Sequence, residues 1–133
     1  MNKNNKKVSV LTGKEYSLVY NPIIAKFMGF TYDYMDSYLI VYKRNKQYNN
    51  EIWRQNELKF NESWDWLMQV VEKIEEMDVV ASFQIEQPTI YIWSSSESST
   101  FKNIEVDIFT KSKIQAVYEA CIKFIEWYNN ENR

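Results

Sequence analysis

The sequence lacks histidine and has only two glycines, which excludes several common classes of catalytic, metal and nucleotide site. Histidine is absent from all 133 residues, which removes the usual zinc ligand and the side chain that titrates near neutral pH. The two glycines, Gly13 and Gly29, are too few to form a Walker loop or a dinucleotide fingerprint. We therefore predict no catalytic residues, no metal site and no cofactor, and we expect that the protein is not an enzyme.

Cysteine and net charge are also scarce. The single cysteine, Cys121, allows no intramolecular disulfide, and its position in an apolar helical stripe predicts a buried structural thiol. The formal net charge of -2 is too small for a protein that attracts nucleic acid through its whole-molecule field. No apolar run is long enough for a signal sequence or a membrane span. We expect a cytoplasmic protein that does not enter membranes.

Length and hydrophobic content predict one domain. A chain of 133 residues with 45% hydrophobic side chains can bury one ordinary core. We therefore interpret residues 1–133 as a single domain and residues 1–7, which are rich in Asn and Lys, as a flexible tail.

The first third of the chain predicts one helix and a hairpin. Asn21 is a capping residue and Pro22 suits the first helical position, so we expect the helix to begin there and to end at Gly29. Residues 37–42 and 51–60 have strand character, and the polar residues between them predict a protruding loop.

A second helix is signalled by Asn61 or Ser63 as its cap. Because Trp64 and Trp66 lie two residues apart, they cannot point the same way on a helix. We expect Trp64 in the core and Trp66 at the rim. The other residues of the predicted apolar face are Leu67, Met68, Val70, Val71, Ile74 and Met77.

Three strands and a last helix complete the prediction. Alternation of apolar and polar residues predicts an antiparallel meander. Thr110 or Ser112 caps the last helix, on whose surface Glu119 and Lys123 are spaced to pair. The order α-β-β-α-β-β-β-α indicates an α+β fold with one layer of helices on a mainly antiparallel sheet. The inward strand residues are predicted to be Val79, Ala81, Phe83, Ile85, Ile90, Ile92, Ile104, Val106 and Ile108.

Three blocks of the sequence carry a resemblance: residues 24–29 read IAKFMG, residues 60–75 contain SWDWLM, and residues 116–129 end in FIEWYN. Together they resemble a group of short, mostly uncharacterised proteins of phages, prophages and mobile elements. Members often carry proline where this chain has Gln69. The resemblance implies a mobile-element accessory protein in a bacterial host. Some proteins of that origin inhibit host defence systems, including CRISPR nucleases, so we expect an inhibitor that acts by protein binding.

The best candidate surface is the basic and aromatic hairpin. Its cations can meet phosphates or acidic side chains, while its aromatic rings can stack on a base or fill a protein pocket. We expect a host protein or ribonucleoprotein as the partner, with direct nucleic-acid binding as the alternative. The candidate partner-binding residues are Tyr42, Lys43, Arg44, Lys46, Tyr48, Trp53, Arg54 and Trp66.

Two further hypotheses remain open. With five tryptophans and ten tyrosines, the chain has more aromatic surface than one small core encloses, so Trp66, Trp93 and Trp127 are candidate anchors for a partner or a second copy. Glu105 and Asp107 lie on one face of a predicted strand at a separation of about 7 Å, which is compatible with a carboxylate-dependent hydrolase. The simpler interpretation of this pair is the solvent face of an amphipathic strand.

Overall fold

The computed structural model describes residues 13–34, 40–43, 52–86, 88–95, 100–109 and 111–132. These residues form three α-helices and two three-stranded antiparallel sheets, which confirms the predicted α+β class. The strands number one more than predicted, because Thr31–Tyr34 is also a strand. The chain divides into two compact units, Met1–Lys59 and Phe60–Arg133. The single domain over residues 1–133 and the tail over residues 1–7 stay predictions.

The described residues of the first unit form one helix and one sheet. Helix α1 spans Gly13–Phe27, and strands β1, β2 and β3 span Thr31–Tyr34, Ile40–Lys43 and Ile52–Arg54. The strands pair in sequence order, so β2 and β3 form the predicted hairpin. The second extended segment is shorter than predicted, because a 3₁₀ turn over Gln55–Glu57 ends it.

The predicted start of α1 is wrong, since Asn21 and Pro22 lie inside the helix. Proline has no N–H to donate to the carbonyl four residues earlier, which here belongs to Leu18. The side-chain Nε2 of Gln55 donates to that oxygen at 2.6 Å. The buried Asn21 side chain does not cap the helix and instead donates to the carbonyl oxygen of Leu58 at 3.0 Å. The Asn21 side chain therefore serves a tertiary contact, and Pro22 leaves the Leu18 carbonyl to accept another.

The predicted end of α1 is confirmed at Gly29. This residue has φ +84°, a left-handed conformation that only glycine adopts without strain. The N–H of Gly29 donates to the carbonyl of Lys26 at 3.0 Å, and the N–H of Phe30 donates to that of Ala25 at 2.9 Å. These two bonds form a Schellman motif, which satisfies the last carbonyls of the helix.

In the second unit, the described residues form two helices and the predicted meander. Helix α2 spans Trp64–Glu75 and helix α3 spans Lys113–Glu131. Strands β4, β5 and β6 pair in that order, each antiparallel to its neighbour. Their bounds are Val80–Glu86, Thr89–Ser94 and Ile104–Asp107.

Helix α2 confirms the predicted cap and reverses the predicted roles of its two tryptophans. Ser63 accepts a hydrogen bond from the N–H of Trp66 at 3.4 Å. Trp64 is 40% exposed, whereas Trp66 is half-buried and packs edge-on against the buried Phe60, with ring centroids 5.0 Å apart. The assignment of Trp64 to the core is wrong, because residue 64 is the first of the helix and precedes its buried stripe. Of the predicted face, Leu67, Val70, Val71 and Ile74 are buried in that stripe, whereas Met68 and Met77 are half-buried.

Strand β4 departs from simple alternation at a β-bulge. Val80 pairs with Ser94 and Ser82 pairs with Trp93, so Ala81 is an extra residue in β4. An extra residue shifts the alternation by one, so the β4 residues before Ser82 lie on the opposite faces from those predicted. Val80 is therefore buried and Ala81 exposed, contrary to the predicted pattern. The predictions for Phe83, Ile90, Ile92 and Val106 are confirmed, since all are buried.

Helix α3 begins at the second of its two predicted caps. The Oγ of Ser112 accepts from the N–H of Gln115 at 3.2 Å, and the Gln115 side chain accepts from the N–H of Ser112 at 3.0 Å. Glu119 pairs with Lys111 at 2.9 Å rather than with the predicted Lys123. The buried residues of α3 are Ala116, Val117, Tyr118, Ala120, Cys121, Ile122, Phe124 and Ile125.

Cys121 is fully buried in α3, as its sequence position predicted. Burial raises the pKa of its thiol well above the usual range, because a thiolate would lose its hydration there. Within the described ranges, no helix is both long and apolar enough to cross a membrane.

Candidate functional site

The hairpin surface is defined here as the candidate residues on and between β2 and β3. In the strand register, Tyr42 lies opposite Trp53 and Lys43 lies opposite Ile52. The strands thus bring two of the predicted aromatic residues, Tyr42 and Trp53, into adjacent positions. Three further members of the predicted set, Arg44, Lys46 and Tyr48, lie outside the described residues.

Trp53 is held by a ring contact within its own unit. It is half-buried and stacks on Phe30, with centroids 5.6 Å apart and an interplanar angle of 29°. Phe30 directly follows the left-handed Gly29 that ends α1. The helix end therefore positions the ring against which Trp53 packs. An aromatic side chain fixed in this way loses little conformational entropy when a partner covers its remaining surface.

Arg54 follows this tryptophan in β3, so the two side chains lie on opposite faces of the strand. Its side chain is exposed, and its backbone N–H donates to the Glu57 carboxylate at 2.7 Å. This bond connects the end of β3 to the 3₁₀ turn. The same turn supplies Gln55, whose amide reaches the Leu18 carbonyl in α1. Two hydrogen bonds, Arg54 to Glu57 and Gln55 to Leu18, thus fix the backbone that follows Trp53.

Trp66, the last predicted site residue, belongs to the second unit. Its contact with Phe60 and its partial burial give it a packing role, so less of its ring is available than the sequence suggested. Trp127 also packs inward, with centroids 4.9 Å from Phe101 and 5.5 Å from Phe124. Trp66 and Trp127, two of the three proposed surface anchors, therefore pack partly against other side chains of the second unit.

The structure exposes other apolar side chains that the sequence reasoning did not select. Phe109 is 80% exposed, and Val19 is 48% exposed. Phe109 lies in the connection between β6 and the Ser112 cap of α3, where no helical or strand periodicity applies. Its position between two predicted elements was the available signal.

The two carboxylates of the hydrolase hypothesis lie where the simpler interpretation put them. Glu105 and Asp107 are both exposed on β6, opposite Tyr91 and Thr89 in the register. Among the described residues, no group of three or more Asp, Glu or Cys side chains is arranged to hold a metal ion. These two carboxylates therefore lie on the solvent face of an amphipathic strand.

Comparisons with protein-family models, with curated proteins and with solved structures find no match to this chain. The resemblance to proteins of phages and mobile elements therefore rests on the three sequence blocks alone.

Proposed function

We propose that this protein is a non-catalytic macromolecule-binding protein of a phage or mobile element. It acts in the cytoplasm of a bacterial host and inhibits a defence system, such as a CRISPR nuclease, by protein-protein binding. The hairpin surface is its contact region, and the function requires no cofactor. The observation that supports the binding role is the stacking of the half-buried Trp53 on Phe30, at a position opposite Tyr42 in the hairpin. The inhibitory role rests on the sequence resemblance.

The physical argument concerns preorganisation. Tryptophan and arginine are enriched among the residues that contribute most to binding energy at protein interfaces. Trp53 and Arg54 are adjacent on a strand whose following turn is fixed by the Glu57 and Gln55 hydrogen bonds. Adjacent strand residues lie on opposite faces, so a partner that covers Trp53 meets an ordered aromatic side chain with little ordering cost, and Arg54 offers its charge on the other face.

Capture from host lysate followed by native mass measurement tests the binding role and reports a second copy of the chain if one binds. The test variant is Lys43→Glu/Arg44→Glu/Lys46→Glu, to which Trp53→Ala is added in a second variant because Trp53 also packs on Phe30. The matched control reverses three exposed lysines of the second unit, Lys102→Glu/Lys113→Glu/Lys123→Glu. We expect both hairpin variants to lose the captured partner and the control to retain it. Retention by both folded hairpin variants would contradict the assignment of the surface.

A plasmid-interference assay tests the inhibitory role. Host cells with an active CRISPR nuclease reject a targeted plasmid, and expression of the chain is expected to restore transformation. The triple charge-reversal variant is expected to leave the plasmid rejected. If the wild-type chain captures a partner but never restores transformation in hosts with defined defence systems, binding stands and defence inhibition fails.

The alternative, direct nucleic-acid binding, uses the same hairpin and differs in its salt response. Each phosphate contact releases counterions, so the affinity for nucleic acid falls steeply as salt rises. An interface centred on Trp53 should lose much less affinity over the same range. Titration of the captured complex between about 50 and 200 mM salt separates the two, because several phosphate contacts would weaken binding by orders of magnitude in that range.

A further inference from the structure

The sheet of the second unit has one face that its helices do not cover. Ile90, Ile92 and Val106 are buried, as are Val117 and Phe124 of α3, so one face of the sheet contributes to the core. Side chains alternate along strands, so the residues between these apolar positions lie on the opposite face. That opposite face, which we call the outer sheet face, consists of Ser82, Gln84, Glu86, Thr89, Tyr91, Trp93, Glu105 and Asp107.

The register arranges the outer sheet face in rows across the three strands. Gln84, Tyr91 and Glu105 form one row, because Tyr91 is the partner of both other residues. Directly opposite residues in a sheet have Cβ atoms about 4.5 to 5.5 Å apart. The Glu105 side chain therefore begins beside that of Tyr91 on this face. In the next row, Thr89 separates Glu86 from Asp107.

Two aromatic rings form the centre of this face. Tyr91 and Trp93 are half-buried and stack with centroids 4.8 Å apart and an interplanar angle of 12°. The indole Nε1 of Trp93 donates to the Oε1 of Gln84 at 3.1 Å, which fixes the orientation of the indole ring. The pair is thus an ordered aromatic platform before any partner arrives, and its rings can accept a cation over a face.

The charge on this face has one sign. Strands β4, β5 and β6 contain three acidic residues, Glu86, Glu105 and Asp107, and neither lysine nor arginine. All three carboxylates are exposed, and none forms an ion pair with another described residue. Like charges would repel a phosphate backbone from the platform, whereas a guanidinium or ammonium group would be attracted to both rings and carboxylates.

We infer that the outer sheet face is a docking surface for a basic segment of a partner protein, with an Arg or Lys side chain against Tyr91 and Trp93 and its charge neutralised by Glu105 and Asp107. This inference rests on the proposed binding function and adds the chemistry of the partner. It also assigns opposite charge preferences to the two surfaces, since the hairpin surface is basic.

The test uses the full-length chain, labelled for NMR, and a tetra-arginine peptide as the probe. A tetra-glutamate peptide and a single-stranded oligonucleotide are the comparison probes. The test variant is Glu105→Lys/Asp107→Lys. The control is Glu72→Lys/Glu76→Lys, which makes the same charge change at exposed residues of α2 and the turn after it. Tyr91→Thr/Trp93→Thr removes both rings while keeping residues that favour strands.

We expect tetra-arginine to shift the amide signals of β5 and β6 and the Trp93 indole signal. The Glu105→Lys/Asp107→Lys variant should bind it at least about tenfold more weakly, which corresponds to about 1.4 kcal/mol. The Glu72→Lys/Glu76→Lys control should bind within about twofold of wild type, a difference of about 0.4 kcal/mol. Folded Tyr91→Thr/Trp93→Thr protein should also lose binding.

Four outcomes would overturn the inference. Equal weakening in the control would show only non-specific attraction between net charges. Equal or tighter binding of tetra-glutamate or of the oligonucleotide would show that the face does not select cations. Unchanged binding in both sheet-face variants would place the peptide elsewhere. If the lysate partner is lost with the hairpin variants but kept by Glu105→Lys/Asp107→Lys, this inference fails while the proposed function stands.

Discussion

The side-chain amide of Gln55 donates to the backbone carbonyl of Leu18 at 2.6 Å. That carbonyl is the one whose helical donor would be residue 22, and proline occupies that position. A residue 37 positions along the chain thus replaces the missing helical hydrogen bond. The pair allows a proline inside α1 and joins that helix to the turn after β3.

Removing the Gln55 amide should therefore destabilise the first unit in a way that depends on Pro22. We expect Gln55→Ala to lower the free energy of unfolding by about 1 to 3 kcal/mol, because a partly buried carbonyl loses its donor. In a Pro22→Ala background the cost should be smaller, since an alanine at that position has an N–H that can reach the Leu18 carbonyl. Denaturant unfolding of the four proteins measures this coupling. Equal costs in the two backgrounds would show that the amide does not compensate for proline.

The two tryptophans of α2 should differ in their contribution to stability. Trp66→Ala removes a half-buried ring that packs on Phe60, and we expect a loss of about 3 kcal/mol. Trp64→Ala removes a ring that is 40% exposed, and the loss should be about 1 kcal/mol or less. Urea denaturation gives both values. A larger loss for Trp64 would restore the roles that the sequence suggested.

Trp127 carries a buried indole nitrogen that has no hydrogen-bond partner in the described part of the chain. Trp127→Phe removes this polar atom and keeps an aromatic ring between Phe101 and Phe124. We expect a change within about 1 kcal/mol, because the lost apolar contact is offset by removal of an unsatisfied N–H.

Trp93 provides the comparison, since its Nε1 has the Gln84 oxygen as acceptor. Trp93→Phe should cost about 0.5 to 1.5 kcal/mol from the hydrogen bond, in addition to lost contact. Thermal unfolding of the two variants tests the difference. A clearly greater loss at residue 127 than at residue 93 would contradict the assignment of an unsatisfied nitrogen.

Glu126 should give the stability a small dependence on pH. Partial burial raises the pKa of its carboxyl, and the nearby Lys123 opposes that shift. The native state therefore binds more protons than the unfolded state between the ordinary pKa of 4.5 and the raised value. Over that window the free energy of unfolding falls as pH rises.

Glu126→Gln should remove this contribution, so the variant gains stability over the wild type as pH rises through the window and keeps the gain at neutral pH. Glu131→Gln, at an exposed glutamate of the same helix, is the matched control. Chemical denaturation at several pH values between about 4 and 7, on either side of the ordinary glutamate pKa, measures the difference. A gain that is the same at every pH would show that titration of Glu126 is not its cause.

Local patterns predicted the second unit better than the first. Ser63 and Ser112 are caps whose partners lie three residues away, so short-range chemistry is enough to find them. The apolar stripe of α2 and the alternation in β5 likewise follow from helix and strand periods. By contrast, the capping signal at Asn21 failed because its partner, Leu58, is remote in sequence. The bulge at Ala81 also has no local marker, since it depends on the pairing of two strands.

The same division applies to the candidate surfaces. The composition of residues 42–54 identified a basic and aromatic hairpin, and the register confirms that β2 and β3 pair there. The outer sheet face could not be recognised as one surface from sequence, because Gln84, Tyr91 and Glu105 come from three strands. Only their pairing brings them into one row.

By itself, the sequence determined the α+β class, two candidate caps each for α2 and α3, the glycine that ends α1 and many of the core residues of the regular elements. These depend on interactions within a few residues and on the helix and strand periods. The tertiary structure alone decided the helical placement of Pro22, the exchanged roles of Trp64 and Trp66 and the bulge in β4. Each of these depends on a partner remote in sequence or on which side of an element the core lies, and local chemistry specifies neither.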